Sequence, residues 1–463
     1  MPSIDSRILS AFSIIRAPLL AFGMAAALVL TQSACAPEGP RQQPAPIISS
    51  QPQATPAPPP SAPLAMVVRP EPPPPPVLRP PTGALPTRVE GGVRVAILLP
   101  LSGRDAGIGK ALLEAAEMAV FDFADPRFVL LPQDTEVAGP AVAAERALAD
   151  GAKMILGPLF GRQVGEVASV AKPRGVPVLS FSNDAAAASP GVFVMGVTPE
   201  QPVARAVAYA RSEGLTKFAG LLPSDALGQR VGDGFRRAVE AVGGTLVRLD
   251  YYGASAVDIS AEVRQLASVA GTALPAGPGG TRLRGTAAAE AARAAAGRPL
   301  GIEAIILGES GARLRSIAPQ LPYYDLDTDR IRVIGSSTWE DATLGREPAL
   351  ANAWFAAPDP AARAEFEKNY ASVFGRAPPR LATLAYDATG LAAVLARSAP
   401  GGDFSIATLT QPSGFSGADG LFRLRADGSV ERGLAVMQIL PRGAGIKVIS
   451  PAPTSFESKE NPS

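Results

Sequence analysis

The sequence predicts an α/β protein with two doubly wound, Rossmann-like lobes. Short apolar runs such as Val93–Leu99 alternate with stretches such as Gly107–Phe123, whose apolar residues recur at helical spacing. This alternation indicates parallel sheets covered by helices on both faces. The number of strands exceeds what one sheet holds comfortably, so we expect two lobes. The predicted strands are Val93–Leu99, Phe128–Leu131, Lys153–Leu156, Val176–Phe181, Val192–Val197, Phe218–Leu222, Thr245–Tyr252, Glu303–Leu307 and Ile331–Ile334.

The composition excludes several classes of function. The chain has 463 residues, a net charge of +1, no histidine and one cysteine. A balanced charge argues against nucleic-acid binding, which needs a clustered basic excess. The lack of histidine removes the commonest general base, the Ser–His and Cys–His nucleophile pairs and every histidine metal site. We therefore expect a protein that is not an enzyme, with no metal and no cofactor.

The N-terminus has the pattern of a secretory signal peptide over residues 1–34. Two arginines precede the apolar run Ala17–Leu30, which is followed by small residues and the only cysteine, Cys35. We expect Cys35 to be lipidated, as in a lipoprotein, although Gln32 stands where a lipobox normally has an apolar residue. Two alternatives remain open, which are ordinary cleavage after Ala34–Ala36 and an uncleaved anchor.

The next segment, residues 35–92, is rich in proline and includes the run Pro72–Pro76. Such a composition favours extended polyproline II, so we expect a disordered tether. It is either a passive linker or a device that lifts the following domain off a membrane and into the cell wall. Residues 451–463 are expected to form a disordered tail.

Six sequence motifs occur in order along the rest of the chain. They are VRVAILLPLSG, KMILGPLFGRQ, GVPVLSFSND, FVMGVTPEQ, FAGLLPSDALGQRVGDGF and RLATLAYDATGLA. Together they resemble the leucine-binding-protein superfamily of type I periplasmic binding proteins. Within it, a lipidated cysteine followed by a linker looks most like the penicillin-binding-protein activator lipoproteins.

That resemblance implies a periplasmic protein anchored by Cys35 to the inner leaflet of the outer membrane, since Ala36 and not aspartate follows the cysteine. Its implied partner is a bifunctional peptidoglycan synthase, which such lipoproteins stimulate. The alternative is a substrate-binding protein of an ABC transporter for amino acids or a related small polar solute.

The resemblance also implies three crossings between the lobes. They are expected near Thr198–Gln201, Ser336–Ser337 and Gln411–Gly417. The expected division is 93–199 and 336–410 for the first lobe, and 200–335 (with a low-complexity insertion at 269–300) and 411–450 for the second.

A ligand is expected outside the carboxyl ends of the strands, as in other open α/β sheets. Hydroxyl groups and helix N-termini there suit a small polar ligand. The resemblance implies amino-acid contacts at Phe160, Ser180, Ser182 and Glu309, whereas Leu227 replaces the tyrosine usual in amino-acid binders. The serines also fit as helix caps or turn residues, Glu309 as a cap, and Tyr386 as core. The candidate cleft residues are Ser102, Gly103, Phe160, Ser180, Ser182, Asn183, Leu227, Glu309, Ser337 and Tyr386.

Overall fold

The computed structural model describes residues 92–271, 286–287, 290 and 300–456. The predicted signal peptide with Cys35, nearly all of the tether, most of the insertion and the end of the tail lie outside the described residues. Among the residues described, no helix combines the length and the apolar character needed to cross a membrane.

The first lobe is built on a five-stranded parallel sheet. Its strands are β1 (Val93–Leu99), β2 (Phe128–Asp134), β3 (Ile155–Leu156), β4 (Val178–Ser180) and β5 (Val192–Val194). They are ordered β2-β1-β3-β4-β5 and all neighbouring pairs run parallel. The helices that follow the first three strands are α1 (Ala106–Phe123), α2 (Pro140–Ala149) and α3 (Gly161–Ala171).

The second lobe is entered through α4 (Glu200–Ser212) and is built on a larger sheet. Five of its strands are β6 (Lys217–Pro223), β7 (Thr245–Tyr252), β8 (Ala304–Leu307), β9 (Arg332–Gly335) and β10 (Trp354–Ala357). These five pair in parallel, in the order β10-β9-β8-β6-β7. Its further helices are α5 (Ala226–Ala241), α6 (Ser260–Ala270), α7 (Gly311–Ile317) and α8 (Gln320–Tyr323).

The chain then returns to the first lobe. The elements of this return are α9 (Pro360–Phe374), α10 (Ala382–Ser398), α11 (Ile406–Leu409), and the antiparallel strands β11 (Phe415–Gly417), β12 (Gly420–Leu424) and β13 (Val430–Arg432). Phe366, Leu384 and Phe422 from these elements are buried in one cluster with β1. The strands β14 (Ala435–Ile439) and β15 (Ile446–Ser450) finally add antiparallel to the sheet of the second lobe, next to β10.

The predicted fold class is therefore confirmed, but two of the expected crossings lie elsewhere. The chain crosses first between β5 and α4, close to the expected place. It crosses again only after Ala357, because β10 pairs with β9 and buries all four of its residues in the second lobe. The third crossing follows Arg432, because β11 and β12 pack Phe415 and Phe422 on the first-lobe core. Residues 336–357 thus lie in the second lobe and residues 411–432 in the first.

The first strand of each lobe leads into a helix through the same kind of turn. In the first lobe a Cβ at Gly109 of α1 would lie 1.9 Å from the carbonyl oxygen of Pro100. In the second, a Cβ at Gly228 of α5 would lie 1.9 Å from the carbonyl oxygen of Pro223, and Asp225 caps the helix by accepting a hydrogen bond from the Gly228 amide. Only glycine permits this approach, which brings both helix N-termini to the edge where the lobes meet.

Candidate ligand cleft between the lobes

A cavity of about 770 Å³ lies between the lobes at the carboxyl edge of the first sheet. Its size is in the usual range for small-molecule sites. Apolar side chains form most of one wall, and charged groups stand at one end. The lining residues are Asp105, Ile108, Leu159, Phe160, Gly161, Phe181, Ser182, Asn183, Arg363, Arg380, Leu381, Leu384 and Asp419 of the first lobe, Ser337, Thr338, Glu340 and Ala357 of the second, and Gly196, Val197 and Pro358 of the crossings.

Four of the predicted cleft residues come together in this cavity, namely Phe160, Ser182, Asn183 and Ser337. Phe160 precedes α3, and the guanidinium of Arg162 lies 4.4 Å from the centre of its ring. Among the described residues, the side chains of Asn183 and Ser337 form no hydrogen bond with another residue. Both are therefore available to a ligand.

Ser180 is buried in the turn after β4, where its hydrogen bonds are already made. Its hydroxyl donates to the carbonyl of Pro158 (3.0 Å) and accepts from the amide of Ser182 (3.1 Å). The hydroxyl of Ser182 in turn accepts from the amide of Asp184 at 3.0 Å. These contacts are those of the turn residues that the sequence offered as an alternative, and Ser180 does not line the cavity.

Ser102 and Gly103 lie in the turn after β1 and also stand away from the cavity lining. Gly103 has a φ of +72°, a left-handed conformation that favours glycine. Ser102 hydrogen-bonds Asp134 at the end of β2. Burial acts to raise the pKa of the Asp134 carboxyl, but hydrogen bonds from Glu136, Ser102 and Leu101 together lower it below its usual value. The turn thus joins two neighbouring strand ends.

The structure places Glu309 and Leu227 of the second lobe outside the cavity lining as well. The carboxylate of Glu309 accepts from the hydroxyl of Tyr252 (3.0 Å) and pairs with the guanidinium of Arg313 (2.9 Å). Burial and the charge of Glu309 raise the pKa of Tyr252. The main-chain carbonyl of Glu309 accepts from the indole of Trp339 at 2.7 Å. Leu227 is 46% exposed on the first turn of α5.

Tyr386, the last predicted residue, belongs to the first-lobe core. Its ring packs edge-on against Phe123, with 5.5 Å between ring centres, and in a tilted arrangement against Phe366, with 5.0 Å between ring centres. Its hydroxyl donates to Asp122 at 2.7 Å, and burial raises its pKa. Tyr386 is therefore part of the core, which is the alternative that the sequence left open.

The charged end of the cavity consists of residues that the sequence did not single out. Glu340 of the second lobe forms an ion pair with Arg363 on α9, and its other oxygen lies 3.9 Å from Nε of Arg380. Burial acts to lower the pKa of Arg363, but hydrogen bonds to Glu340 and Glu367 raise it above its usual value. Arg380 also donates to Asp419 at 2.9 Å.

A second group of polar side chains, of which Arg432 is buried, lies where the first and third crossings run side by side. The guanidinium of Arg432 donates to the carbonyl of Met195 through Nε (3.0 Å) and Nη2 (2.6 Å). From α4, Gln201 donates to the carbonyl of Val430 at 2.7 Å, and Arg205 to that of Leu434 at 2.9 Å. The two crossings are therefore joined through main-chain carbonyls.

Asp387 of α10 is fully buried beside this group. Its carboxylate accepts hydrogen bonds from the amides of Ala418 (2.6 Å) and Asp419 (3.3 Å). Burial and the negative charge of Asp419 raise the pKa of Asp387 to about 7, while the charge of Arg432 opposes the shift. Tyr386, the preceding residue, belongs to the core, whereas Asp387 stabilises the turn between β11 and β12.

No cluster of three or more histidine, cysteine, aspartate or glutamate side chains that could hold a metal occurs within residues 92–271 and 300–456. The cavity lining therefore combines an apolar wall, hydroxyl and amide groups, two arginines that already have carboxylate partners, and the carboxylates of Asp105, Glu340 and Asp419.

Comparison with known proteins places the chain in a family. The family described as periplasmic binding protein matches residues 92–444. An uncharacterized protein of Rickettsia prowazekii (strain Madrid E) is 24% identical over 177 residues, which are 38% of this chain and 47% of that protein. The chain thus matches about half the length of that relative.

Solved structures share the fold at low sequence identity. A protein of Rhodospirillum rubrum assigned to branched-chain amino acid ABC transport is 19% identical, covering 77% of this chain and 100% of its own, with a TM-score of 0.61. The C-domain of LpoA from Haemophilus influenzae, a regulator of PBP1A, is 18% identical, covering 77% and 99%, with a TM-score of 0.56. Since the family match spans more than half of the sequence and the two-lobed fold agrees with it, this chain belongs to the periplasmic binding protein family.

Proposed function

We propose that this protein is a non-catalytic lipoprotein of the cell envelope that activates a bifunctional peptidoglycan synthase. The observation that supports this proposal most is the state of the positions that would bind an amino acid. Ser180 is bonded to Pro158, Glu309 is bonded to Tyr252 and Arg313, and Leu227 offers no polar group. Side chains whose hydrogen bonds and ion pairs are already made within the protein are poorly suited to bind a free amino acid.

The sequence before the described domain supports the same proposal. Cys35 follows a signal-peptide pattern, and the proline-rich segment up to residue 92 has the composition of an extended spacer. A domain on a long spacer anchored at the outer membrane would reach a synthase through the cell wall. A protein that docks on an inner-membrane transporter gains little from such a spacer.

The test is a reconstituted polymerisation assay with the full chain purified in detergent and a bifunctional synthase from the same organism. We expect the rate of glycan polymerisation or crosslinking to rise with added protein until the synthase is saturated. The control is a Cys35→Ala variant purified without lipid, which should activate in detergent because both proteins diffuse freely there. Unchanged synthase rates over the full range of concentrations would contradict the proposal.

The second candidate is a substrate-binding protein of an ABC transporter, and the cavity of about 770 Å³ favours it. In that role the ligand would bind the closed form better and shift the population of lobes toward closure. Calorimetric titration with amino acids, amino-acid amides and muropeptides tests it. A ligand at 100 times its dissociation constant should stabilise the protein by about 2.7 kcal/mol, which a thermal-shift assay detects.

A further inference from the structure

The charged end of the cavity holds a contact between the lobes that neither candidate function requires. Glu340 follows the short helical turn Ser337–Trp339 of the second lobe. Its carboxylate pairs with Arg363 and lies near Arg380, both of which belong to the first lobe. A carboxylate of one lobe is thus held by two arginines of the other.

The two arginines are held in place by their own lobe. Glu367, one helical turn after Arg363 on α9, accepts from Arg363 Nε at 2.7 Å. Asp419, in the turn before β12, accepts from Arg380 at 2.9 Å and from Thr383 at 2.8 Å. The pair of guanidinium groups would therefore keep its position if Glu340 moved away.

Arg363 also needs a second carboxylate for electrostatic reasons. Its residue is only 7% exposed, whereas the side chain of Glu367 is 48% exposed and is screened by water. A buried guanidinium without a close partner is costly, and its five N–H groups can bind more than one acceptor. Nη1 of Arg363 is buried and has no hydrogen-bond partner among the described residues. This side of the first lobe therefore has the properties of an anion site.

The site opens on the cavity, which Arg363, Arg380 and Glu340 all line. Phe181 and Leu384 line the same cavity and supply part of its apolar wall. A small molecule with a carboxylate and an apolar body would find the same two surfaces there. Glu340 supplies that carboxylate from within the chain.

We propose that Arg363 and Arg380 form a carboxylate site in the first lobe, and that Glu340 of the second lobe fills it as a built-in ligand that holds the lobes closed. In a two-lobed binding protein, closure is favoured by a ligand that contacts both lobes. Here a side chain of the protein makes that contact. The proposal concerns the cleft alone and does not depend on a synthase partner.

Chemical rescue tests the proposal in the full chain purified in detergent. Glu340→Ala deletes a CH₂–COO⁻ group, which acetate replaces. We expect the variant to unfold about 5 °C below the wild type and to have a larger radius of gyration in small-angle scattering. Sodium acetate, but not sodium chloride at the same concentration, should recover at least half of both changes, and the wild type should respond equally to the two salts.

Two variants serve as controls. Glu367→Ala removes a carboxylate from the same arginine and leaves Glu340 in place, so its unfolding temperature should not respond to acetate. Glu340→Gln removes the charge but still fills the site, so it should lose stability and not be rescued. Acetate that stabilises Glu340→Ala no better than chloride, or that stabilises both alanine variants equally, would overturn the proposal.

Should Glu340→Ala fail to fold, a double-mutant cycle of Glu340→Gln with Arg363→Gln replaces the rescue. The proposal expects the two changes to lower the unfolding temperature by less together than the sum of their separate effects. Additive effects would overturn it. Since none of these measurements involves a synthase, they separate this proposal from the activation of peptidoglycan synthesis.

Discussion

Charged side chains make contacts beside the crossings and, between the lobes, at the cavity, and these two places are built differently. Where the crossings run side by side, buried Arg432 binds the main-chain carbonyl of Met195. At the cavity, Glu340 meets Arg363 through side chains alone. A bond to the main chain fixes the path of the crossing whether the lobes are open or closed, whereas a pair of side chains from opposite lobes separates when the lobes part. The comparison indicates a rigid hinge with a releasable contact at the cavity.

The largest loss of stability is expected when Arg432, which joins the two crossings, is replaced. Arg432→Met removes both hydrogen bonds to Met195 and leaves the buried carboxyl group of Asp387 without the cation beside it. We expect the free energy of unfolding in urea to fall by about 4 kcal/mol, as for other broken buried charge groups. Arg423→Met is the matched control, because Arg423 pairs with Glu431 at the partly exposed face of the same small sheet, and it should cost no more than about 1 kcal/mol. Equal losses in the two variants would contradict the distinction.

The hinge side should also respond to pH through Asp387. Its pKa rises from 3.8 to about 7 in the folded protein because of burial and the charge of Asp419. The folded state then binds a proton that the unfolded state has released, so this contribution to stability is complete below pH 4 and is lost as pH rises to 7. The slope should approach about 1.4 kcal/mol per pH unit at most.

The check on Asp387 is urea unfolding of the wild type and Asp387→Asn at several pH values. The asparagine variant carries the same other titrating groups but lacks this one. The difference in free energy of unfolding between the two proteins should therefore change between pH 4 and 7 and be constant above that range. A difference that is constant from pH 4 to 8 would rule out the raised pKa.

A steric change beside Asp387 gives a smaller expected effect. A Cβ at Gly417 would lie 2.4 Å from the carboxyl group of Asp387, so Gly417→Ala must displace the aspartate or the turn after β11. We expect a loss of about 2 kcal/mol, typical of overpacking. Gly165→Ala in α3 is the control, since no atom lies within 4 Å of its Cβ position, and it should gain up to about 1 kcal/mol from helix propensity. Thermal unfolding tests whether Gly417→Ala lowers the unfolding temperature while Gly165→Ala raises it.

The smallest effect is expected at the second contact between side chains of opposite lobes. Arg230 of α5 and Asp184 of the first lobe are 3.3 Å apart, with about two fifths of each side chain exposed. Arg230→Gln should lower the free energy of unfolding by less than about 1 kcal/mol and lose that effect at high salt. If Arg230→Gln increased the radius of gyration in small-angle scattering as much as Glu340→Ala does, the contact between Glu340 and Arg363 would have no particular role in keeping the lobes closed.

The fold was predictable because its signals are local. Val93–Leu99 and Thr245–Tyr252 form strands with the predicted bounds. Val93–Leu99 is the short continuous apolar run expected of a buried strand in a parallel sheet, whereas Thr245–Tyr252 is an edge strand in which Arg248 and Asp250 alternate with apolar residues. The strand β10 was missed because four residues do not stand out from their surroundings. Without it the second crossing was placed too early, after β9 and not after β10.

The candidate site was predictable only where it follows a strand of the first lobe. Phe160, Ser182 and Asn183 lie in the turns that follow β3 and β4, and the topology brings them to one edge of the sheet. The charged end gave no such signal. Arg363 and Glu367 stand four residues apart on a helix, a pattern typical of a solvated surface, and only the tertiary structure brings Glu340 against that pair.

The bond from the indole of Trp339 to the carbonyl of Glu309 has a practical consequence. Trp339 is fully buried and immediately precedes Glu340, whereas Trp354, the other tryptophan of the chain, packs against Tyr209 inside the second lobe. Because Trp339 adjoins Glu340 in the chain, we expect its fluorescence to change when Glu340 leaves Arg363, whereas the fluorescence of Trp354 should stay nearly constant. A change in tryptophan emission on lobe opening could then be read without a label and in the presence of a partner whose own tryptophans have been replaced.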